Sequence, residues 1–96
     1  MAAYLVVEVT DISDEGPVRQ YGEQVPPVVE RYGGRYIARG PATVLEGNHQ
    51  PMMIVLVEFP SVERLQAFYD SDDYTPLKEL RQQGSSCNFL AVEGLG

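Results

Sequence analysis

A four-stranded antiparallel sheet with its helices on one face, an α+β arrangement in the order βαββαβ, is the fold this 96-residue sequence predicts. Three observations carry that expectation. Runs rich in β-branched and aromatic residues recur four times along the chain, at "YLVVEVT", "RYIARGPATVL", "MMIVLVEF" and "CNFLAVEGL". Segments of helical period separate the first run from the second and the third from the fourth. The third run is apolar on both of its alternating faces, which marks a strand in the middle of a sheet.

Each element has its own local reasons. From Tyr4 to Thr10, Leu5, Val7 and Val9 share one face of a strand, while Tyr4, Val6, Glu8 and Thr10 share the other. In the helix that follows, Pro17 suits the first turn, Asp14 and Glu15 complement the positive end of the helix dipole, and Val18, Tyr21, Val25, Val29 and Tyr32 recur at near-helical spacing. Pro26 and Pro27 are expected to kink or restart it, and Gly33 and Gly34 to end it. Arg35 to Leu45 predicts the second strand, "EGNHQP" a turn, and Met52 to Phe59 the third strand. Ser61 is the expected N-cap of a helix whose buried stripe is Leu65, Phe68 and Tyr69. Asp72 or Asp73 is expected to start a further short helix, with Pro76 in its first turn and Gly84 as its stop, before a last strand from Cys87 to Leu95.

Right-handed crossovers in this order give the ferredoxin-like, or split βαβ, arrangement, with spatial order fourth, first, third, second. Both helical connections then cover the same face. Tyr4, Val6, Met52, Ile54 and Leu56 fall on the face left bare, and an apolar layer of that size calls for cover. A second copy of the same sheet is the simplest cover. A domain this short buries only about 60 to 65 per cent of its unfolded surface, so a twin also supplies burial the chain lacks.

Composition narrows the function. A hydrophobic content of 44% with 22% charged residues is that of an ordinary globular domain. The net charge of −7, with no basic run among the seven Lys and Arg, disfavours nucleic acid and acidic membrane surfaces. "MMIVLV" is far shorter than the roughly 20 residues that span a bilayer. Cys87 is the only cysteine, has no His or Lys beside it in "GSSCNF", and is read as an inert thiol; a reducing, cytoplasmic setting follows as the expectation.

"YGGRYIARG", "LEG", "VEFPSVERLQAFYDSDDY", "LKELR" and the closing "VEG" together resemble the domain-of-unknown-function 1330 family over nearly the whole chain. That resemblance implies a dimeric α+β barrel, two ferredoxin-like subunits sheet to sheet, with a pocket between sheet and helices or between the sheets. It implies no reaction, since proteins of this fold include cofactor-free monooxygenases, muconolactone isomerase and haem enzymes. Pro41 after "ARG" and His49 after "EG" depart from the family's pattern in the loop between the second and third strands.

The polar residues that neighbour apolar faces are the site candidates. A hairpin in which Leu45 faces Met52 sets Arg39 opposite Glu58 on the bare face, with Arg35 and Ile37 beside Leu56 and Glu8 on the same side. Arg39 and Glu58 then either form an ion pair that fixes subunit orientation, or Arg39 holds the carboxylate or enolate of a ligand with its forked donors. A slip of one residue would turn Arg39 to the helical side. His49 is the only histidine and hence the natural general base, although its polar turn favours an idle, solvated ring. Tyr21, Tyr69 and Tyr74 are either core-margin residues or, with Arg81, orient a polar aromatic or keto ligand in a cleft beside the sheet. Glu46 is read as a turn residue. With no histidine pair or cysteine cluster, neither a metal nor another cofactor is expected. The residues therefore support a homodimer with a pocket for a small hydrophobic or aromatic acid, as a cofactor-independent isomerase or oxygenase or as a non-catalytic binding module.

Overall fold

The computed structural model describes residues Met1–Gly96, folded as β1 (Ala3–Ile12), α1 (Glu15–Arg31), β2 (Arg35–Gly40), β3 (Met53–Phe59), α2 (Val62–Tyr69), α3 (Thr75–Gly84) and β4 (Ser85–Glu93). The sheet runs β2-β3-β1-β4 with every neighbouring pair antiparallel, which is the ferredoxin-like order expected from the sequence. Strand alternation gives the sheet its two faces. Leu5, Val7 and Val9 of β1 and Val55, Val57 and Phe59 of β3 turn to the helices, where they form one core with Val25, Val28 and Val29 of α1, Leu65 and Phe68 of α2, and Leu77 of α3. On the other face Tyr4 pairs with Glu58, Val6 with Leu56, and Glu8 with Ile54, and no element of the chain covers them. Leu90 and Val92 of β4, each 54% exposed, extend this open face across the sheet. No helix is long and apolar enough to cross a membrane.

β2 departs from the expected strand in length and in register. It stops at Gly40, because Pro41 has no N–H to give the ladder, and residues 41 to 52 form a connecting loop; Met52 lies in that loop and not in β3. Arg35 pairs with Glu58 and Tyr36 with Val57, but the next partners are Ala38 with Leu56 and Arg39 with Val55. Ile37 is thus an extra residue, a β-bulge, and beyond it the side chains change faces. Arg39 therefore stands on the helical side opposite Val55, three strand positions away from the expected pairing with Glu58.

The helices differ from expectation mainly at their starts. α1 begins at Glu15, two residues before Pro17, because the Asp14 side chain accepts the Gly16 N–H at 3.1 Å. It then runs unbroken through Pro26 and Pro27 where a restart was expected. Those prolines remove the helical bonds to the carbonyls of Gly22 and Glu23, and burial of Val25, Val28 and Val29 around them offsets the loss. The end of α1 is a Schellman turn: Gly33 N–H donates to Glu30 O at 2.9 Å and Gly34 N–H to Val29 O at 2.9 Å, with Gly33 at φ 85°. Ser61 caps α2 as expected, accepting from Arg64 N–H at 3.1 Å. The turn into α3 is organised by Ser71 and not by Asp72 or Asp73: its hydroxyl accepts the Tyr74 N–H at 3.1 Å and donates to Phe68 O at 2.8 Å.

Gly84 closes α3 against the start of α1, and its carbonyl accepts both Ser13 N–H at 2.8 Å and Asp14 N–H at 3.2 Å. A Cβ at this position would run into the Asp14 backbone carbonyl, which those bonds hold in place. Gly84→Ala is expected to destabilise the fold by about 1–3 kcal/mol, seen as a lower urea midpoint at unchanged slope. An unchanged midpoint would mean that α3 and the α1 entrance are free to separate.

Candidate functional site

The helices do not close fully on the sheet. Between α1 and the helical side of β1 and β3 lies a cavity of about 150 Å³, walled chiefly by Val7, Val25, Val55, Phe68 and Phe89. An apolar space of that order is enough to hold a benzene ring. Large rings pack beside it. Phe68 packs on Tyr74 at 4.5 Å between centroids and on Phe59 at 5.4 Å, while Tyr69 bridges Tyr74 at 5.6 Å and Phe89 at 5.8 Å. Flat, stiff side chains meeting at tilted angles cannot fill a concave space as aliphatic chains do.

A few polar groups converge on this space. Tyr21 of α1 and Tyr74 share a hydrogen bond of 2.8 Å between hydroxyls. Two hydroxyls joined by one bond leave one O–H proton of the pair unused. Burial raises the pKa of both phenols; for Tyr21 the Tyr74 hydroxyl adds to the rise, and for Tyr74 the bond to Tyr21 and the Arg81 charge oppose it. Arg81, in the last turn of α3, is only 6% exposed and lies with its guanidinium 4.2 Å over the Phe89 ring. Burial works against its charge, but the Tyr74 hydroxyl beside it, with Tyr21 and Cys87, outweighs burial and raises its pKa. At the β2 end, Tyr36 and Arg39 line the opening; burial raises the Tyr36 pKa and the Arg39 charge opposes it. Ser85 and Cys87 complete the wall near Arg81, with Oγ and Sγ 3.6 Å apart.

The cavity thus unites Tyr21, Arg39 and Arg81 among the candidates, with Tyr74 immediately behind Tyr21, and Arg81 also lines the neighbouring concavity that Tyr69 faces. Tyr69 lies outside it, facing a more open concavity of about 420 Å³ along the edge strand β4, and Lys78 Nζ stands 4.0 Å over its ring. Glu58 is on the open face, where Arg35 donates to it at 2.7 Å; that hydrogen bond is the main cause holding its carboxyl below the usual range. Arg35 therefore takes the role expected of Arg39. His49 is also on the open face: its Nε2 lies 3.2 Å from Glu8, whose other oxygen accepts from Asn88 at 3.2 Å. It is too far round the sheet to serve the cavity as a base. Tyr36, Ser85 and Cys87 are cavity residues that sequence reasoning missed. Cys87 and Phe89 alternate with Asn88 and Leu90, a signal present in the strand pattern; Tyr36 becomes visible only once the bulge at Ile37 is known. No three His, Cys, Asp or Glu side chains converge on a common point where a metal ion would fit.

The comparisons with known proteins agree with this fold. Residues 2–95 match the family described as a domain of unknown function (DUF1330), and the chain belongs to that family. No curated protein sequence matches it. Among solved structures it is similar to a protein of unknown function from Rhodopseudomonas palustris, at 18% identity and a TM-score of 0.79, covering 99% of this chain and 83% of that one. It is similar to SnoaB, a cofactor-independent oxygenase from Streptomyces nogalater, at 7% identity and a TM-score of 0.71, covering 99% and 94% of the two chains. A dimeric ferredoxin-like protein of unknown function from Thermobifida fusca matches at 13% identity and a TM-score of 0.66, covering 98% and 92%.

The raised tyrosines set an alkaline limit. In the unfolded chain a tyrosine loses its proton near pH 10, whereas in the folded protein Tyr21 and Tyr74 keep theirs to higher pH. Their contribution is fully present below about pH 10 and is lost as pH rises further, because the unfolded state then binds fewer protons. The urea midpoint is expected to fall between pH 9 and pH 11, and to fall less steeply in Tyr21→Phe. The same slope in both proteins would mean that the Tyr21 hydroxyl reaches water.

Proposed function

We propose that this chain forms a homodimer through its open sheet face and binds a small hydrophobic or aromatic acid in the cavity between α1 and the sheet. The observation that carries the binding reading is an apolar space of about 150 Å³ into which a few polar groups, Tyr21, Arg39 and Arg81, converge. A small number of oriented polar groups in an apolar concavity is the usual make-up of a small-molecule site. Association through the open face is supported by the apolar run of Val6, Ile54, Leu56, Leu90 and Val92, and by the dimeric state of the similar Thermobifida fusca protein. A net charge of −7 argues against nucleic acid as the partner, and the lone Cys87 fits a reducing, cytoplasmic setting.

Cofactor-independent isomerase or oxygenase chemistry, as the name of SnoaB describes for that protein, requires the ligand itself to be the reactive species. One feature favours plain binding over catalysis. The phenols and the guanidinium at the cavity hold their protons more tightly than usual, and His49 lies on the other face, so no obvious general base stands beside the ligand.

A thermal-shift panel of single-ring aromatic acids and keto acids tests the binding reading. At about 100 times Kd, a ligand is expected to add about 2.7 kcal/mol, a rise in melting temperature on the order of 10 °C. Val55→Phe, which fills the cavity from the centre of β3, is expected to abolish the rise. A rise that survives this substitution would place the ligand elsewhere, and a panel without any rise would remove the binding reading.

A further inference from the structure

The only charged side chain in the core is the Arg81 guanidinium, in a protein with twice as many acidic as basic residues. Fourteen Asp and Glu are available, yet the ion pairs of the chain are Arg31 with Asp73, Arg35 with Glu58 and His49 with Glu8, all outside the core. No carboxylate lies within 4.0 Å of Arg81, and its Nε is buried with no hydrogen-bond partner. An unpaired buried cation is among the costlier features a fold can hold, since removal from water is compensated only by an opposite charge or full hydrogen bonding. Packing on Phe89 and proximity to the negative end of α3 relieve part of that cost but give Nε no acceptor.

The surroundings state what is missing. Arg81 lines the cavity at its β4 end, where Ser85, Cys87 and Phe89 form the adjoining wall. The Tyr21–Tyr74 pair beside it holds a spare O–H proton. Arg81 Nε and the spare O–H therefore meet at one end of the cavity with only neutral oxygens such as the Tyr74 hydroxyl beside Arg81 and no carboxylate, and most of the remaining wall is apolar. We infer that the cavity takes the anion of a single-ring aromatic acid, its carboxylate accepting from Arg81 Nε and from the free hydroxyl of the Tyr21–Tyr74 pair, with the ring held among Val7, Val55 and Phe89. The inference rests on the cavity being a ligand site and adds the charge of the ligand and the atom that receives it. A forked guanidinium suits a planar carboxylate, and a space of about 150 Å³ admits a single ring. Arg39, exposed at the β2 end, is assigned no part in holding the anion.

The test uses toluene, benzamide and benzoate as probes, with affinities for wild type and Arg81→Met read by NMR titration. The inference expects benzoate to bind wild type at least tenfold more tightly than its neutral isostere benzamide. Arg81→Met should erase that preference while toluene binds both proteins within about threefold. Addition of benzoate should also move the Arg81 Nε–H resonance of wild type, a readout that stands even if Arg81→Met does not fold. Ligand-free Arg81→Met is expected to melt no lower than wild type, since an apolar side chain of similar length relieves an unpaired charge. Toluene and benzamide binding without a benzoate preference, or benzoate binding that leaves the Nε–H resonance unmoved, would overturn the anion assignment and leave the cavity reading intact. Failure of all three probes to bind would overturn both.

Discussion

A β-strand presents its side chains to two sides, and this chain has helices for only one of them. The helical face of β1 and β3 is satisfied by valines and phenylalanine packed under α1, α2 and α3. The other face repeats the apolar character with Val6, Ile54, Leu56, Leu90 and Val92 and meets no helix. The charged residues on that face pair around the apolar run. Arg35 with Glu58 stands toward one end of the strands, and His49 with Glu8 and Asn88 toward the other. Polar pairs flanking an apolar centre are the anatomy of an interface, with the rim setting orientation and the centre supplying burial. The division of labour between faces follows: one side is left open and apolar, the other encloses a space.

Packed rings border that enclosed space. Phe68, Tyr74, Tyr69 and Phe89 form a connected set of rings in the helical layer and at β4. Aliphatic valines on the sheet side cannot reach across the gap. The polar groups then sit where the ring set ends, Tyr21 and Tyr74 sharing one hydrogen bond and Arg81 lying on Phe89. Stability and site are thus made by the same side chains. An arginine that leaves Nε without a partner in the core costs stability.

Much of this was legible in the sequence because it rests on periodicity. The doubled apolar character of "MMIVLVEF" placed β3 inside the sheet, alternation in "YLVVEVT" fixed which residues of β1 face the helices, and Ser61 announced α2. Features that depend on a single residue's backbone were not legible. The longer connection between Gly40 and Met53 shifts the register so that Arg35 took the partner expected for Arg39, and an extra residue at Ile37 exchanges the faces of everything after it in β2 and turned Arg39 to the cavity. Asp72 and Asp73 looked like better helix starters than Ser71, but Ser71 is the residue whose hydroxyl reaches the Tyr74 N–H. Pro26 and Pro27 looked like a break, and tertiary burial of the valines beside them carried the helix through. Tyr21, Tyr69, Tyr74 and Arg81 were singled out together from the sequence; the fold gathers Tyr21, Tyr74 and Arg81 at the cavity and sets Tyr69 outside it. His49 and Glu58 were drawn to the same list by chemistry alone, and the sheet stands between them and the cavity.

The claim beneath this account is that the open face is too apolar to remain in water. Sedimentation velocity at dilute micromolar concentration tests it most directly, with no variant and no ligand. A single species of twice the chain mass, about 21 kDa from a chain of 10.7 kDa, is the expected result. A lone 10.7 kDa species under those conditions would contradict it, because Ile54, Leu56, Leu90 and Val92 would then stand open to solvent in a stable protein.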